Sequence, residues 1–323
     1  MVKQKIVKFI FIFFISLSLF SCSNENKDIE IVFQKGLSPR GMANKLRDAD
    51  LISSSNIFVA IVKLFGWSKE LKAGRYEFNE NDSIFKILSK IRKGESLNIK
   101  ITIPEGFDIK KIADLLQEKG IGTSDTFVEL AKKQDMEGFL LPETYFVDPT
   151  STEKDIIKTM NDEFNKFWSP EFDERAKQLK MTKKDIINLA SIVEKEAVSA
   201  NERNIIAGIF YNRLHKKMRL ESCSTVLYAM GINKERLTFE DLKFDSKYNT
   251  YKHSGLPPGP ICNPGKETIK ATLFPVATNY LYFVSKGDGT HLFAVNLNEH
   301  VIQKQDTKKM IKKAKNGKKK SLS

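Results

Sequence analysis

Apolar positions along the chain change their period several times, and each change marks an element. Ile31-Val32-Phe33 alternates as a strand does, and after Gly36 the apolar residues Met42, Ala43, Leu46 and Leu51 fall at helical spacing. Seventy residues on, the order returns: Ile101 and Ile103, a turn at Gly106, then Ile112, Ala113, Leu116 and Ile121. Between the copies, Gly74–Phe78 reads as a strand and Ile84–Ile91 as a short helix stopped near Gly94. Residues 29–122 are therefore expected to form one small α+β module built from a duplicated strand–helix unit. Over 125–180 a helical connector is expected, with Ile156, Ile157, Met160, Phe164 and Phe167 on one face. Thr182 and Asp185 give a capping-box-like start to a helix running to about Ser199, and Ile205–Leu214 carry the next. Gly and Pro crowd Tyr248–Gly265, which reads as an ordered loop. Tyr280–Val284 and His291–Val295 then alternate around Gly287-Asp288-Gly289, the pattern of a hairpin. A last helix starts near Asn298. The expected fold class is α+β, with a mixed helical and hairpin domain over 181–303 and a basic tail over 304–323.

Charge changes this picture less than its total suggests. The 323 residues carry 53 Lys+Arg against 40 Asp+Glu, a net +13. Lys3, Lys5 and Lys8 account for +3, and nine lysines against Asp306 in the last twenty residues for +8, which leaves +2 for the body. A nucleic-acid groove is not indicated. The basic tail reads as a solvated helix end or as a contact for anionic lipid or an acidic polymer.

The N-terminus is more specific. The three lysines precede an apolar run, Phe9–Phe20, of about a dozen residues, followed by Ser21 and Cys22. That order describes a secretory signal, and the run is short for a membrane span of about 20 residues. Leu19-Phe20-Ser21-Cys22 resembles a lipoprotein processing site, so residues 1–22 are expected to be an anchor, either lipidated at Cys22 or left uncleaved in the membrane. An exported chain could pair Cys223 with Cys262 or bury both as thiols.

Several chemistries drop out. Four histidines and three cysteines show no metal-ligand spacing. Gly259–Lys266 misses the phosphate-loop pattern, with five residues between the glycines and Glu267 where Ser or Thr is needed. No nucleophile elbow is present. What remains is Ala190-Ser191-Ile192-Val193-Glu194-Lys195-Glu196, two carboxylates at the edges of an apolar helical stripe, with Lys195 expected toward solvent. The end of a helix disfavours an anion, which is a cost to a surface Glu and an advantage to a general acid. Helical periodicity does not choose between the two, and from the residues alone a solvated glutamate pair is the reading that stands first.

That segment, together with Glu202-Arg203, Phe210–Leu214, Met218–Leu220, Ser222, Thr225-Val226, Tyr248–Tyr251, Gly255–Ile261, Asn263–Gly265, Tyr280–Val284, His291–Phe293 and Glu299-His300, resembles the MltG/YceG family of endolytic murein transglycosylases. Glu137–Tyr145 is similar to that family's Glu-Gly-Tyr-Leu-Phe-Pro-Asp-Thr-Tyr, and the duplicated module to its LysM-like region. The likeness covers the chain after Asp28. It implies catalysis by Glu196, the second Glu of Glu-Lys-Glu, on peptidoglycan glycan strands cut between MurNAc and GlcNAc to leave 1,6-anhydro-MurNAc ends. One carboxyl group can serve as acid and then as base there, unlike the two-carboxylate glycosidases. Glu143, Tyr145, Ser222, Thr225, Tyr248, Asn249, Tyr251, Asn263 and His291 are carried over as candidate substrate contacts; the tyrosines and His291 read equally as braces. The chain departs from the family at Glu221-Ser222-Cys223-Ser224-Thr225, where many members have Gln-Ser-Asp-Pro-Thr, and at Glu143, where they have Asp. The resemblance further implies no cofactor and no metal, a place on the outer face of the inner membrane (periplasmic), and peptidoglycan synthases as partners. Two other readings stand beside it: a non-catalytic peptidoglycan-binding protein, and a hydrolytic muramidase using Glu196 with Glu221 or Glu143.

Overall fold

The computed structural model describes residues 27–34, 36–234 and 236–320, with side chains as far as Met310. The anchor expected over 1–22, with Cys22, lies outside the described residues. The chain divides after Asn98 into two compact units.

In the first unit, β1 (Asp28–Phe33) pairs antiparallel with β2 (Gly74–Asn79), Ile31 opposite Tyr76. Helices α1 (Pro39–Asp48) and α2 (Ser55–Leu64) lie between them in sequence. Ser38 caps α1 by accepting from the Gly41 N–H, and Pro39 fits the first turn, where its missing donor is not needed. Alternation sends Ile31, Phe33, Tyr76 and Phe78 inward, where they meet Met42, Leu46, Phe58 and Val62. Each fully buried aromatic contributes on the order of 1.5–3 kcal/mol. Helix α3 (Ile84–Lys93) closes this core with Ile87, Leu88 and Ile91 and ends at left-handed Gly94.

The second unit opens by repeating that order. β3 (Ile99–Thr102) is followed by α4 (Ile109–Glu118), α5 (Ser124–Lys133) and β4 (Thr144–Val147), and β3 pairs antiparallel with β4, Ile101 opposite Tyr145. The duplicated unit is thus strand–helix–helix–strand, longer than the strand–helix read from periodicity. This divides the single module expected over 29–122. The physical reason is pairing: β3 needs a partner for its backbone, and that partner comes from 144–147, inside the span expected to be only a helical connector. Its core joins Ile101, Ile112, Leu116, Tyr145 and Met160.

Then follow α6 (Glu153–Phe167), α7 (Pro170–Gln178), α8 (Lys183–Glu196), α9 (Arg203–His215), α10 (Cys223–Met230) and α11 (Lys266–Leu273). The capping box at Thr182 and Asp185 is formed in both directions. Ile186 through Val193 of α8 are buried on every side, so α8 is the central helix of the unit. At Gly208 of α9 a Cβ would collide with the Val276 carbonyl, which accounts for a glycine inside a helix. The hairpin is β5 (Tyr282–Ser285) with β6 (His291–Ala294), Ser285 opposite His291, and α12 (Leu297–Lys320) ends the described chain. Among the described residues no helix is long and apolar enough to cross a membrane. Cys223 is exposed, Cys262 is buried, and both are free thiols.

Candidate active site

The site grows out of the way α8 holds the Gly/Pro loop. Three polar side chains at helical spacing on α8 face that loop: Asn188 Nδ2 donates to Pro257 O (2.7 Å), Ser191 Oγ accepts from Ile261 N (3.0 Å), and Glu194 Oε2 accepts from Gly265 N (3.0 Å). Asn188 and Ser191 are buried and Glu194 half-buried, and the three bonds anchor a segment that has few internal hydrogen bonds of its own. The pair of glutamates is therefore resolved by position. Glu194 is tied to the loop, and Glu196, the last residue of α8, faces a cleft. Lys195 is exposed, as expected, and its ammonium donates to Gly106 O at 2.8 Å, a carbonyl beside the left-handed turn at Gly106.

Glu196 Oε1 receives the Ser222 hydroxyl at 2.6 Å and the Ser224 hydroxyl at 3.1 Å, and the two serine oxygens are 2.6 Å apart. Each hydroxyl carries one proton. With Glu196 ionised, two protons serve three oxygen–oxygen contacts; with Glu196 protonated, a third completes the ring. The triad accommodates both states of the carboxyl group. Ser222 sits at the N-cap of α10, yet its side chain makes no cap bond, being directed to Glu196 instead. An unused cap forgoes roughly 1 kcal/mol, a stability cost that follows the site rather than the helix.

The loop that delivers Ser222 is fixed from several sides. Arg213 Nη1 donates to Arg219 O, Leu220 O and Glu221 Oε2 (3.1, 3.0 and 3.2 Å). Glu221 adopts a left-handed φ of 52°, uncommon for a residue with a Cβ. Glu221 N reaches Thr250 O, and Ser222 N reaches Thr250 Oγ1 at 3.0 Å.

The cleft beside Glu196 has a volume of about 350 Å³ and is lined by Arg213, Ser222, Tyr251, His291 and His300 among others. His291 is buried and pairs through Nδ1 with Glu202 Oε2 at 2.7 Å. Tyr251 Oη lies 3.1 Å from Cys223 Sγ, and burial raises the Tyr251 phenol above its ordinary value. Burial, with the Lys304 and Arg213 charges, holds the His300 imidazole below its usual range.

Across Ser224 lies a larger cleft of about 640 Å³, bounded by α4, α5 and α10 and by Tyr248. Its floor is Glu137, whose oxygens accept from Ile109 N, Tyr228 Oη (each 3.2 Å) and Asn263 Nδ2 (3.1 Å). Burial, helped by the Asp108 charge, pushes the Glu137 carboxyl up to about 8 against those donors.

Of the residues singled out in the sequence, Glu196, Ser222, Tyr251 and His291 share one cleft, and Tyr248 lines the other. The rest are engaged by the protein. Thr225 bonds Ser222 O and Thr250; Asn249 holds Leu242 O and Phe244 O; Asn263 bridges Phe107 O and Leu140 N; all three are buried. Tyr145 is buried in the β3–β4 core with its hydroxyl on Leu141 O, and Glu143 lies beside Lys266 at 3.5 Å. Thr225, Asn249, Asn263 and Tyr145 brace the fold, and Glu143 is exposed outside the Glu196 cleft. Ser224 and Arg213 stand within the segments compared in the sequence, which gave them no role. The same holds for Glu137; a carboxylate within an otherwise apolar Gly/Pro stretch was the available signal. Among the described residues no cluster could hold a metal ion.

The YceG-like family profile matches residues 31–306. An endolytic murein transglycosylase of Bacillus subtilis (strain 168) is 34% identical over 299 residues, covering 84% of this chain and 82% of that one. Another from Streptococcus pneumoniae serotype 2 is 28% identical over 86% of this chain and 58% of its own length. The crystal structure of a YceG-like protein from Listeria monocytogenes superposes with a TM-score of 0.55 at 32% identity, covering 85% of this chain and 99% of that chain. With the family profile spanning most of the chain and a relative above 30% identity matched over more than four-fifths of both chains, this chain belongs to the YceG-like family.

Proposed function

We propose that this chain is an endolytic murein transglycosylase and that Glu196 is its acid and base. The observation that carries the assignment is the Glu196–Ser222–Ser224 triad opening into a cleft, because it sets a carboxyl group there with hydroxyl partners that can either give or take a hydrogen bond. Protonated Glu196 donates to the glycosidic oxygen as the MurNAc C1–O bond breaks. The resulting carboxylate takes the proton of the MurNAc C6 hydroxyl as that oxygen bonds to C1. The products are a GlcNAc hydroxyl end and a 1,6-anhydro-MurNAc end, with Glu196 protonated again and no water consumed. A muramidase would need a second carboxylate to activate water or attack C1. Glu221, the other carboxylate of this cleft, is paired with Arg213, and Glu143 is away from it, which favours the anhydro product.

The same proposal includes an N-terminal anchor holding the enzyme on the outer face of the inner membrane, a LysM-like glycan-binding role for the first unit, and action on strands emerging from peptidoglycan synthases. Mass analysis of digested glycan strands tests its centre. Ends lighter than hydrolytic ends by one water support it, reducing ends would convert the reading to a muramidase, and intact strands would leave only binding.

A further inference from the structure

The larger cleft has walls of unlike chemistry. Helices α4 and α5, from the second strand–helix–helix–strand copy, bring Lys110, Lys111 and Lys132 to one side, and Lys195 reaches it from the end of α8. Tyr228 and Tyr248, with rings 5.2 Å apart, form the other. Lys110 is matched by Asp114 at 2.6 Å and Lys111 by Asp108 at 3.9 Å. Lys132 has no ionic partner among the described residues, and Lys195 gives one N–H to Gly106 O, which leaves two of its three donors. Glu137 on the floor keeps its proton near neutrality, so it does not oppose an incoming anion.

A glycan backbone of N-acetylated sugars offers hydroxyls and amides but no charge, so ammonium groups in such a cleft have nothing to pair with. A peptide substituent on the muramic residue carries free carboxylates. Ser224 places this cleft next to Glu196. Resting on the reading of Glu196 as the cleavage site, we propose that the 640 Å³ cleft binds the carboxylate-bearing peptide substituent of the strand, with Lys132 and Lys195 as its anion contacts, so that the preferred substrate is peptide-substituted rather than bare glycan.

The test uses the full chain and two soluble probes, a disaccharide–peptide fragment of murein and the same disaccharide without peptide, with affinities measured calorimetrically. The expected result is that the peptide-bearing probe binds at least about tenfold more tightly, and that Lys132→Glu, a change on the exposed side of α5, lowers this ratio below about threefold. A wild-type ratio near one, or a ratio unmoved by Lys132→Glu, would overturn the proposal. Cleavage assays run in parallel separate the two ideas. A chain that prefers the peptide probe but cuts no strand loses the transglycosylase reading and keeps this one, whereas a chain that cuts strands while binding both probes alike does the reverse.

Discussion

The cleft at Glu196 and the cleft at Glu137 meet at Ser224, yet they treat a carboxyl group in opposite ways. Glu196 stands at a helix end, half-buried, with two rotatable hydroxyls as its partners. Glu137 is half-buried too, but accepts from a backbone N–H, an amide N–H and a phenol, donors carried by three different segments. Hydroxyls can turn to give or take a hydrogen bond; N–H groups only give. The first setting suits a group that must change protonation state during a reaction. The second offers donors that favour the carboxylate, and burial holds the proton on against them. A carboxyl group is therefore assigned its role by its partners and burial, which a one-letter Glu does not disclose.

The largest effect expected from this contrast is kinetic. Glu196→Gln removes the transferable proton while keeping shape and a hydrogen-bonding oxygen. Turnover should fall about a thousandfold or more, since the same group serves in both half-steps, while thermal stability and strand binding persist. Undiminished turnover would remove Glu196 from the chemistry.

Next comes a thermodynamic effect at the other cleft. A carboxyl lifted from 4.5 to about 8 binds its proton more tightly in the folded chain than in the unfolded one. Its contribution is fully present below about pH 4.5 and is lost as pH rises through about 8. Glu137→Gln mimics the protonated form, since the Tyr228 hydroxyl can rotate to accept from the new amide. The variant and the wild type should melt together near pH 4, and the variant should gain by an amount that levels off above pH 8, on the order of 3–5 kcal/mol. Parallel melting curves from pH 4 to pH 9 would show that Glu137 ionises without penalty.

The sequence disclosed those parts of the molecule that depend on near neighbours. Thr182 and Asp185 start α8, Gly287 and Gly289 turn the hairpin, and both strand–helix beginnings were visible as shifts in apolar period. The parts that depend on distant partners stayed hidden. Nothing local to Ile99–Thr102 says that it pairs with Thr144–Val147, so the repeat looked shorter than it is. Glu194 and Glu196 occupy equivalent edges of one helical stripe, and only Gly265, some seventy residues on, distinguishes them. Likewise Asn249, Asn263 and Thr225 carry the chemistry of sugar contacts, but the fold uses it on the backbone.

The smallest of the three effects probes the boundary between the clefts. Ser222→Ala deletes the 2.6 Å hydrogen bond to Glu196 and leaves Ser224 as the remaining hydroxyl at that oxygen. A hydrogen bond to a charged group contributes about 1.5–3 kcal/mol, so turnover should fall roughly ten- to a hundredfold. Loss of an N-cap serine ordinarily also destabilises the helix that it begins. Here the Ser222 side chain makes no cap bond to α10, so the melting temperature should stay close to that of the wild type. The two readouts together are what give the variant its value. A large fall in melting temperature with unchanged turnover would mean that Ser222 works for α10 after all, and the distinction between a cleft that moves protons and one that holds them would lose its nearest support.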